Sequence, residues 1–117
     1  MPGRLYLFQW DPAAAEARAA ELRAAGWTVE VESTDGGRGT RNILNNPPDI
    51  ILFDLARRPG QSRITADNIR GFKATRQVPM LFIDGTEEDV AKVRARILKP
   101  LFSPSELLMH RLSKLDD

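Results

Sequence analysis

Short apolar runs alternate along the chain with longer stretches in which apolar and polar residues recur at helical spacing. The runs are rich in aromatic and β-branched residues and are bounded by turn-forming residues, so they are predicted strands. Two of them are continuously apolar, at residues 50–53 and 80–83, which is typical of strands buried on both sides. The first four predicted strands span residues 4–10, 27–33, 49–55 and 78–84.

Capping residues mark the predicted helices between these strands. Asp11 precedes Pro12 at the start of an alanine-rich stretch and is a predicted N-cap. Thr86 is a predicted N-cap of the fourth helix, and Ser103 and Glu106 have the spacing of a capping box before the last helix. The predicted helices span residues 12–25, 40–45, 64–73, 87–98 and a last segment from about residue 104, with residues 57–63 as a loop.

Strands that alternate with helices predict an α/β fold with a parallel sheet covered on both faces, because parallel neighbours need a crossover helix. The simplest topology is a doubly wound, five-stranded parallel sheet of strand order 2-1-3-4-5, as in flavodoxin-like folds. A binding site in such a sheet lies at the carboxyl ends of strands 1, 3 and 4. The polar and aromatic residues at these ends are Gln9, Trp10, Asp11, Asp54 and Asp84.

Composition excludes several classes of protein. Apolar residues make up 42% of the chain, charged residues 28%, and the net charge of +1 points to no nucleic-acid or other polyanionic partner. No cysteine is present, and no apolar run is long enough for a membrane helix or a signal peptide. We therefore expect one cytoplasmic domain over residues 1–117. We expect a solvated surface for the basic residues between the third and fourth strands, Arg57, Arg58, Arg63, Arg70, Lys73 and Arg76.

Four segments, in order along the chain, resemble those of response-regulator receiver domains, the CheY-like family. They are RLYLFQWDP, NNPPDIILFDLARRP, KATRQVPMLFID and LKPLFSPSELL. The resemblance implies a phosphoacceptor position at Asp54, which would take a phosphoryl group from a phosphohistidine of a partner histidine kinase. It also implies Mg²⁺ held by the acceptor and two acids at the end of strand 1, a lysine that pairs with the phosphoryl oxygens, and a hydroxyl at the end of strand 4.

The chain departs from that pattern at three positions. Gln9 and Trp10 occupy the places of the two acids, Asp11 comes one residue later, and Asp84 occupies the place of the hydroxyl. Asp11 is interpreted as a helix cap or as a metal ligand, and Asp11 with Asp54, or a cluster of both with Asp84, as a possible Mg²⁺ site. Trp10 either packs against the first helix or the loop after strand 3, or contacts a partner.

Lys99 has two interpretations. If it is the family lysine, strand 5 covers residues 96–98. The helical spacing of apolar residues up to Ile97 instead favours a helix that runs to about Leu98, with Lys99 and Pro100 as its exit and strand 5 at residues 101–102. We prefer the second interpretation.

These observations favour an atypical receiver-like domain that is not an enzyme and acts as a protein-interaction module in signal transduction, with phosphorylation lost or rare. One alternative is a working phosphoacceptor of a two-component phosphorelay that uses Asp54. Another is a small-molecule or nucleic-acid binding domain on the same fold. The resemblance also implies a partner or homodimer face formed by helix 4, strand 5 and helix 5, at residues 87–115. The fourth helix has acids first and bases after them, which suits a self-complementary contact at this face.

Overall fold

A computed structural model describes residues 2–116, so the two terminal residues of the predicted domain lie outside the described range. It contains one parallel sheet of order β2-β1-β3-β4-β5, which confirms the predicted topology. The strands are β1 Arg4–Phe8, β2 Thr28–Glu32, β3 Ile50–Asp54, β4 Met80–Ile83 and β5 Pro100–Ser103. The helices are α1 Pro12–Ala24, α2 Gly36–Asn45, α3 Pro59–Arg70, α4 Glu87–Arg96 and α5 Leu108–Asp116, with short 3₁₀ helices at Lys73–Thr75 and Ser105–Leu107.

The two faces of the sheet bury different side chains. On the face covered by α2, α3 and α4, a row of four aromatic rings crosses the sheet, with Phe8 and Phe53 stacked at 4.9 Å and Phe53 and Phe82 stacked at 5.0 Å. Phe102 continues the row on β5 at 5.8 Å from Phe82. The opposite face, covered by α1 and α5, is aliphatic except for Trp27. Both faces exclude water from β3, as the continuous apolar run predicts.

Helix α2 begins four residues earlier than the predicted start at residue 40. Asp35 caps it, because its side chain accepts a hydrogen bond from the Arg38 N–H at 3.0 Å. A glycine is needed at position 39 for packing, since a Cβ there would overlap the Phe8 ring. The predicted start at residue 40 was wrong, because a close contact between the helix and the sheet decides the structure here.

Helix α3 also begins earlier than predicted and ends earlier, at Arg70 and not at residue 73. Residues 57–63 are not all loop, because Pro59 takes the first helical position, where its fixed φ is favourable. Arg58 precedes it with a left-handed φ of 47°. Ser62, in the first turns of this helix, is completely buried.

The region around Lys99 follows the preferred interpretation. Thr86 caps α4 with a full capping box to Asp89, as predicted for Thr86. The helix ends at Arg96, and Lys99 turns the chain with a φ of 55° before β5 starts at Pro100. A strand at residues 96–98 is therefore wrong, and the strand after Lys99 is confirmed.

The predicted capping box of Ser103 and Glu106 does not form. Ser103 is the last residue of β5, and its carbonyl accepts a hydrogen bond from the Asp84 N–H at 3.2 Å. Its hydroxyl donates to the Pro104 carbonyl, and the 3₁₀ helix that follows has no side-chain cap. Pairing of β5 through Ser103 takes this residue out of the capping position.

One residue of the predicted basic surface is buried. Arg70 is 7% exposed, and its Nη1 donates to the carbonyls of Arg76 at 2.8 Å and Val78 at 2.7 Å. Burial lowers the pKa of this guanidinium. Arg70 therefore closes the turn between α3 and β4, and its prediction as a surface residue was wrong.

Candidate functional site at the carboxyl end of the sheet

Asp54 ends β3 at the carboxyl edge of the sheet and is 5% exposed. Its Oδ2 accepts a hydrogen bond from Gln9 Nε2 at 2.5 Å, and its Oδ1 accepts one from the Ala56 N–H at 2.9 Å. Both donors are electrically neutral. The carboxylate is thus hydrogen-bonded at both oxygens without a cationic partner within the described residues.

Gln9 follows β1, which lies beside β3 in the sheet, and is 4% exposed. Its Oε1 accepts a hydrogen bond from the Asp11 N–H at 3.0 Å. Since the carbonyl end of this amide faces an N–H donor, the amino end faces Asp54. Gln9 therefore presents a hydrogen-bond donor to the acid, not an oxygen to a cation.

Trp10 points into the core. It is 5% exposed, its ring lies 5.8 Å from that of Phe8, and its Nε1–H donates to Ser62 Oγ at 2.9 Å. Ser62 Oγ in turn donates to the Asp54 carbonyl at 3.5 Å. The predicted packing against the segment after β3 is confirmed, with that segment forming the first turns of α3, and a direct partner contact by Trp10 is wrong.

The other two acids at this edge are bonded to backbone groups. Asp11 caps α1, its Oδ1 accepting from the Ala13 N–H at 3.2 Å, which confirms the predicted cap. Asp84 has a left-handed φ of 60°, and its Oδ1 accepts from the Ser105 N–H at 2.8 Å. Asp84 is thereby tied to the segment after β5.

A second buried carboxylate lies at the same edge of the sheet, at Glu32. It is 3% exposed and forms a two-pronged ion pair with Arg38 at 2.7 and 2.8 Å. The N–H groups of Thr34 and Asp35 also donate to it. These donors, with the Arg38 guanidinium first, lower the pKa of Glu32 to about 2. The alternation of β2 places Glu32 at the strand end but gives no signal of its pairing.

Comparison with solved structures identifies the architecture. The receiver domain of a sensor histidine kinase from Pseudomonas aeruginosa, which has a magnesium ion in its active-site cleft, superposes with a TM-score of 0.78 at 17% identity over 100% of both chains. Chemotaxis protein CheY4 of Vibrio cholerae gives a TM-score of 0.81 at 15% identity over 98% of this chain and 99% of its own. The chain has the receiver-domain fold.

Response regulator TrrA of Thermotoga maritima, in complex with Mg²⁺ and BeF, is a further neighbour, with a TM-score of 0.74 at 14% identity over 98% of this chain and 99% of its own. No family model matches the chain. No curated protein matches it either. The similarity is therefore one of structure, carried by a sheet whose order and crossovers agree while most side chains differ.

The residues of this chain do not fit the Mg²⁺ site that the receiver-domain fold implies. Magnesium requires several oxygen ligands in near-octahedral geometry. Gln9 directs its amino group at Asp54, Trp10 is turned into the core, and Asp11 is bonded to α1. Within residues 2–116 no group of three or more His, Cys, Asp or Glu side chains is placed to hold a metal ion. We therefore derive no chemistry through a metal.

A cation for a phosphoryl group is missing from its expected place as well. Lys99 precedes β5 and is exposed at the amino edge of the sheet, whereas Asp54 lies at the carboxyl edge. The residue that ends β5 beside β4 is Ser103, whose hydroxyl is bonded to a backbone carbonyl. Lys99 and Asp54 are thus not brought together.

A groove of about 400 Å³ lies between α4 and the end of β5. Phe82 and Phe102 contribute its apolar surface, and the Arg94 guanidinium lies 4.6 Å from the centre of the Phe102 ring. Phe102 lies within the predicted interface, residues 87–115, but the sequence pattern gives no signal that singles it out. The other lining residues are Asp84, Gly85, Val90, Ser103, Pro104 and Glu106.

The basic residues of α4 do not form one surface. Arg94 points to β5, while Arg96 pairs with Asp67 of α3 at 3.2 Å. Lys92 pairs with Glu88 on its own helix at 2.8 Å and lines a cavity together with Arg63 of α3. The acids-first, bases-last order of this helix therefore serves two different surfaces.

No helix in the described range has the length and apolar composition to cross a membrane.

Proposed function

We propose that this chain works as a protein-interaction module in signal transduction in which phosphorylation of Asp54 is lost or rare. The observation that supports this most directly is the hydrogen bond from the Gln9 amino group to Asp54 Oδ2. That N–H lies where a metal-binding oxygen is required, and it satisfies the carboxylate with a neutral group. The position is retained, but its electrostatics are those of a structural contact.

Phosphoryl transfer to a carboxylate depends on positioning and on neutralising the charge of the transferred group. Gln9 supplies no ligand for a cation, and Ser103 supplies no ammonium group. Asp84 adds a carboxylate at the end of the neighbouring strand β4, and this charge opposes an incoming phosphoryl group. Each of these three differences from the family pattern raises the activation free energy of phosphoryl transfer to Asp54.

The partner surface that we propose is the α4–β5–α5 face within residues 87–115, which contains the groove over Phe102. A half-buried aromatic ring with an arginine above it resembles the aromatic and arginine anchors of protein interfaces. Partners of this face are a signalling protein, such as a histidine kinase, or a second copy of the chain.

The phosphoacceptor alternative is tested by titrating the protein with Mg²⁺ and beryllofluoride while following tryptophan fluorescence. A Trp27→Phe background leaves Trp10, which is hydrogen-bonded to Ser62 beneath the site, as the reporter. We expect no saturable change, because the ligands for Mg²⁺ are absent. Saturable binding in this background that disappears when Asp54→Asn is added would overturn the proposal and establish a working acceptor.

The homodimer is tested by analytical ultracentrifugation of the wild type, Arg94→Glu and Arg41→Glu. Arg94 contacts Phe102 on the proposed face, whereas Arg41 is exposed on α2 and serves as a charge-matched control. If the chain self-associates through this face, Arg94→Glu weakens association by about tenfold, equal to about 1.4 kcal/mol, and Arg41→Glu does not. A wild type that remains monomeric at high protein concentration and low salt removes the homodimer and leaves a different protein as the partner.

A further inference from the structure

Helices α3 and α4 enclose a second surface feature that the Asp54 site does not use. Two cavities of about 430 and 400 Å³ lie along these helices and share Arg63 and Arg96 as lining residues. The first cavity is lined by Arg63, Lys92, Ala95 and Arg96. Three of the four side chains around it are therefore cationic, although the net charge of the whole chain is only +1.

The acids nearby neutralise this cluster incompletely. Lys92 is paired with Glu88 and Arg96 with Asp67, but Glu88 is 75% exposed and Asp67 is 42% exposed. Exposed pairs of this kind contribute little stability, so an anion of higher charge density can replace them at small cost. Arg63 forms no ion pair or side-chain hydrogen bond within residues 2–116.

The second cavity differs chemically from the first. Beside Arg63 and Arg96, it is lined by Ile64, Asp67 and Asn68. Ile64 is 61% exposed and presents an apolar surface beside this cavity. An apolar side chain, an amide and a carboxylate next to a cationic cavity suit a ligand with a charged end and an uncharged, hydrogen-bonding end.

We propose that the α3–α4 groove binds a small molecule that carries phosphate groups. The guanidinium groups of Arg63 and Arg96 match phosphate oxygens in pairs, and Lys92 adds a third positive charge. The remainder of the ligand lies against Ile64 and Asn68. Each of the two cavities, at about 430 and 400 Å³, is in the size range of small-molecule sites. This inference does not rest on the state of Asp54, because the groove shares no residue with Asp54 and its hydrogen-bond partners. Lys92, Ala95 and Arg96 of the groove do lie within the range of the proposed partner face, residues 87–115.

The test is a titration of the isotope-labelled protein with inorganic pyrophosphate and with ATP, in metal-free buffer of low ionic strength, observed by two-dimensional NMR. We expect saturable shifts confined to α3 and α4, around residues 62–68 and 92–97. Arg63→Gln is expected to weaken binding of both probes by about tenfold, the loss of one charge-assisted contact. Arg41→Gln, on α2, is the matched control and is expected to bind as the wild type does. ATP is expected to bind more tightly than pyrophosphate, because only ATP reaches the second cavity.

Three results would overturn the proposal, and a fourth would overturn the part of it that concerns the second cavity. Shifts spread over the exposed arginines of all helices would show non-specific charge attraction, and Arg63→Gln with unchanged affinity would remove the central contact. A short poly-glutamate peptide that binds these helices more tightly than ATP would show that the groove takes acidic protein segments instead. ATP and pyrophosphate with equal affinities would overturn the assignment of the second cavity to the ligand.

Discussion

Two carboxylates are buried at the carboxyl edge of the same sheet, Glu32 at the end of β2 and Asp54 at the end of β3, and their surroundings differ. Glu32 is held by the Arg38 guanidinium and by two backbone N–H groups. Asp54, equally buried, has one amide group and one backbone N–H as donors. The first is a neutralised charge, and the second is a charge bonded only to neutral groups.

This difference distinguishes a structural acid, Glu32, from Asp54, which is the candidate site residue. The ion pair of Glu32 ties the end of β2 to the first turn of α2, so its purpose is to hold the connection between them. Asp54 fixes no comparable connection, and it is the predicted phosphoacceptor position. Its two neutral donors satisfy both oxygens of the buried carboxylate.

Among the substitutions considered, we expect Glu32→Gln to lower the free energy of unfolding most. This change leaves the volume of the side chain nearly unchanged but removes the charge that Arg38 neutralises, and we expect a loss of about 2 to 3 kcal/mol in the free energy of unfolding. The estimate is below that for a fully buried pair because Arg38 is 54% exposed. Urea denaturation measures it, and Glu30→Gln, which removes an exposed partner of Arg4 on the same strand, is the control with about 0.5 kcal/mol or less.

The stabilisation by the Glu32–Arg38 ion pair should also be visible in the pH dependence of the free energy of unfolding. Since the pKa of Glu32 is about 2 in the folded protein and 4.5 as its ordinary value, its stabilisation is complete above pH 4.5. It is lost as the pH falls from 4.5 toward 2, because the unfolded state then binds the proton more readily. The difference in unfolding free energy between the wild type and Glu32→Gln should therefore shrink over this window. A difference that is constant from neutral to acid pH would contradict the assignment.

The fold was predictable because its signals are local and redundant. The apolar runs at β3 and β4 and the caps at Asp11 and Thr86 fixed the order of the elements, and the crossover rule fixed the sheet. Boundaries failed at Gly39 and Ser62, where the sequence is typical of loops. Both residues belong to helices that pack closely on the first strand or on the residues just after it. Gly39 lies against Phe8, and Ser62 accepts a hydrogen bond from Trp10. Such long-range contacts leave no periodic pattern in the sequence.

The position of the candidate site in the fold was predictable from the sequence, whereas the directions in which its side chains point were less so. Parallel strands bring Gln9 and Asp54 to one edge, and the structure places them in a hydrogen bond. Sequence alone did not settle whether Trp10 turns inward, because a tryptophan suits both a core and an interface. For Lys99, a shift of only a few residues in the boundary of strand 5 changes the edge of the sheet on which it lies.

Gln9→Glu is expected to lower the free energy of unfolding by an intermediate amount. The substitution gives Asp54 a charged neighbour, as Glu32 has in Arg38, but of like charge. The new carboxylate replaces the N–H donor with an acceptor of like charge, so we expect a loss of about 1 to 2 kcal/mol at neutral pH. Two adjacent carboxylates also supply oxygen ligands, so millimolar Mg²⁺ should restore part of this stability in the variant and leave the wild type unchanged. Thermal unfolding with and without Mg²⁺ measures both effects. A wild type that is stabilised by Mg²⁺ to the same extent would show that Gln9 does not exclude the metal.

The smallest effect is expected from Asp54→Asn, the counterpart of Glu32→Gln. The asparagine carbonyl still accepts the Gln9 N–H, but its amino group cannot accept the Ala56 N–H, and that lost hydrogen bond costs about 1 kcal/mol. Removal of a buried charge that has no cationic partner offsets part of this cost, so the net change should be about 1 kcal/mol or less. Urea denaturation of the two amide variants side by side measures the contrast. If Asp54→Asn destabilises the protein as much as Glu32→Gln does, Asp54 is a structural acid too, and the distinction between the two carboxylates fails.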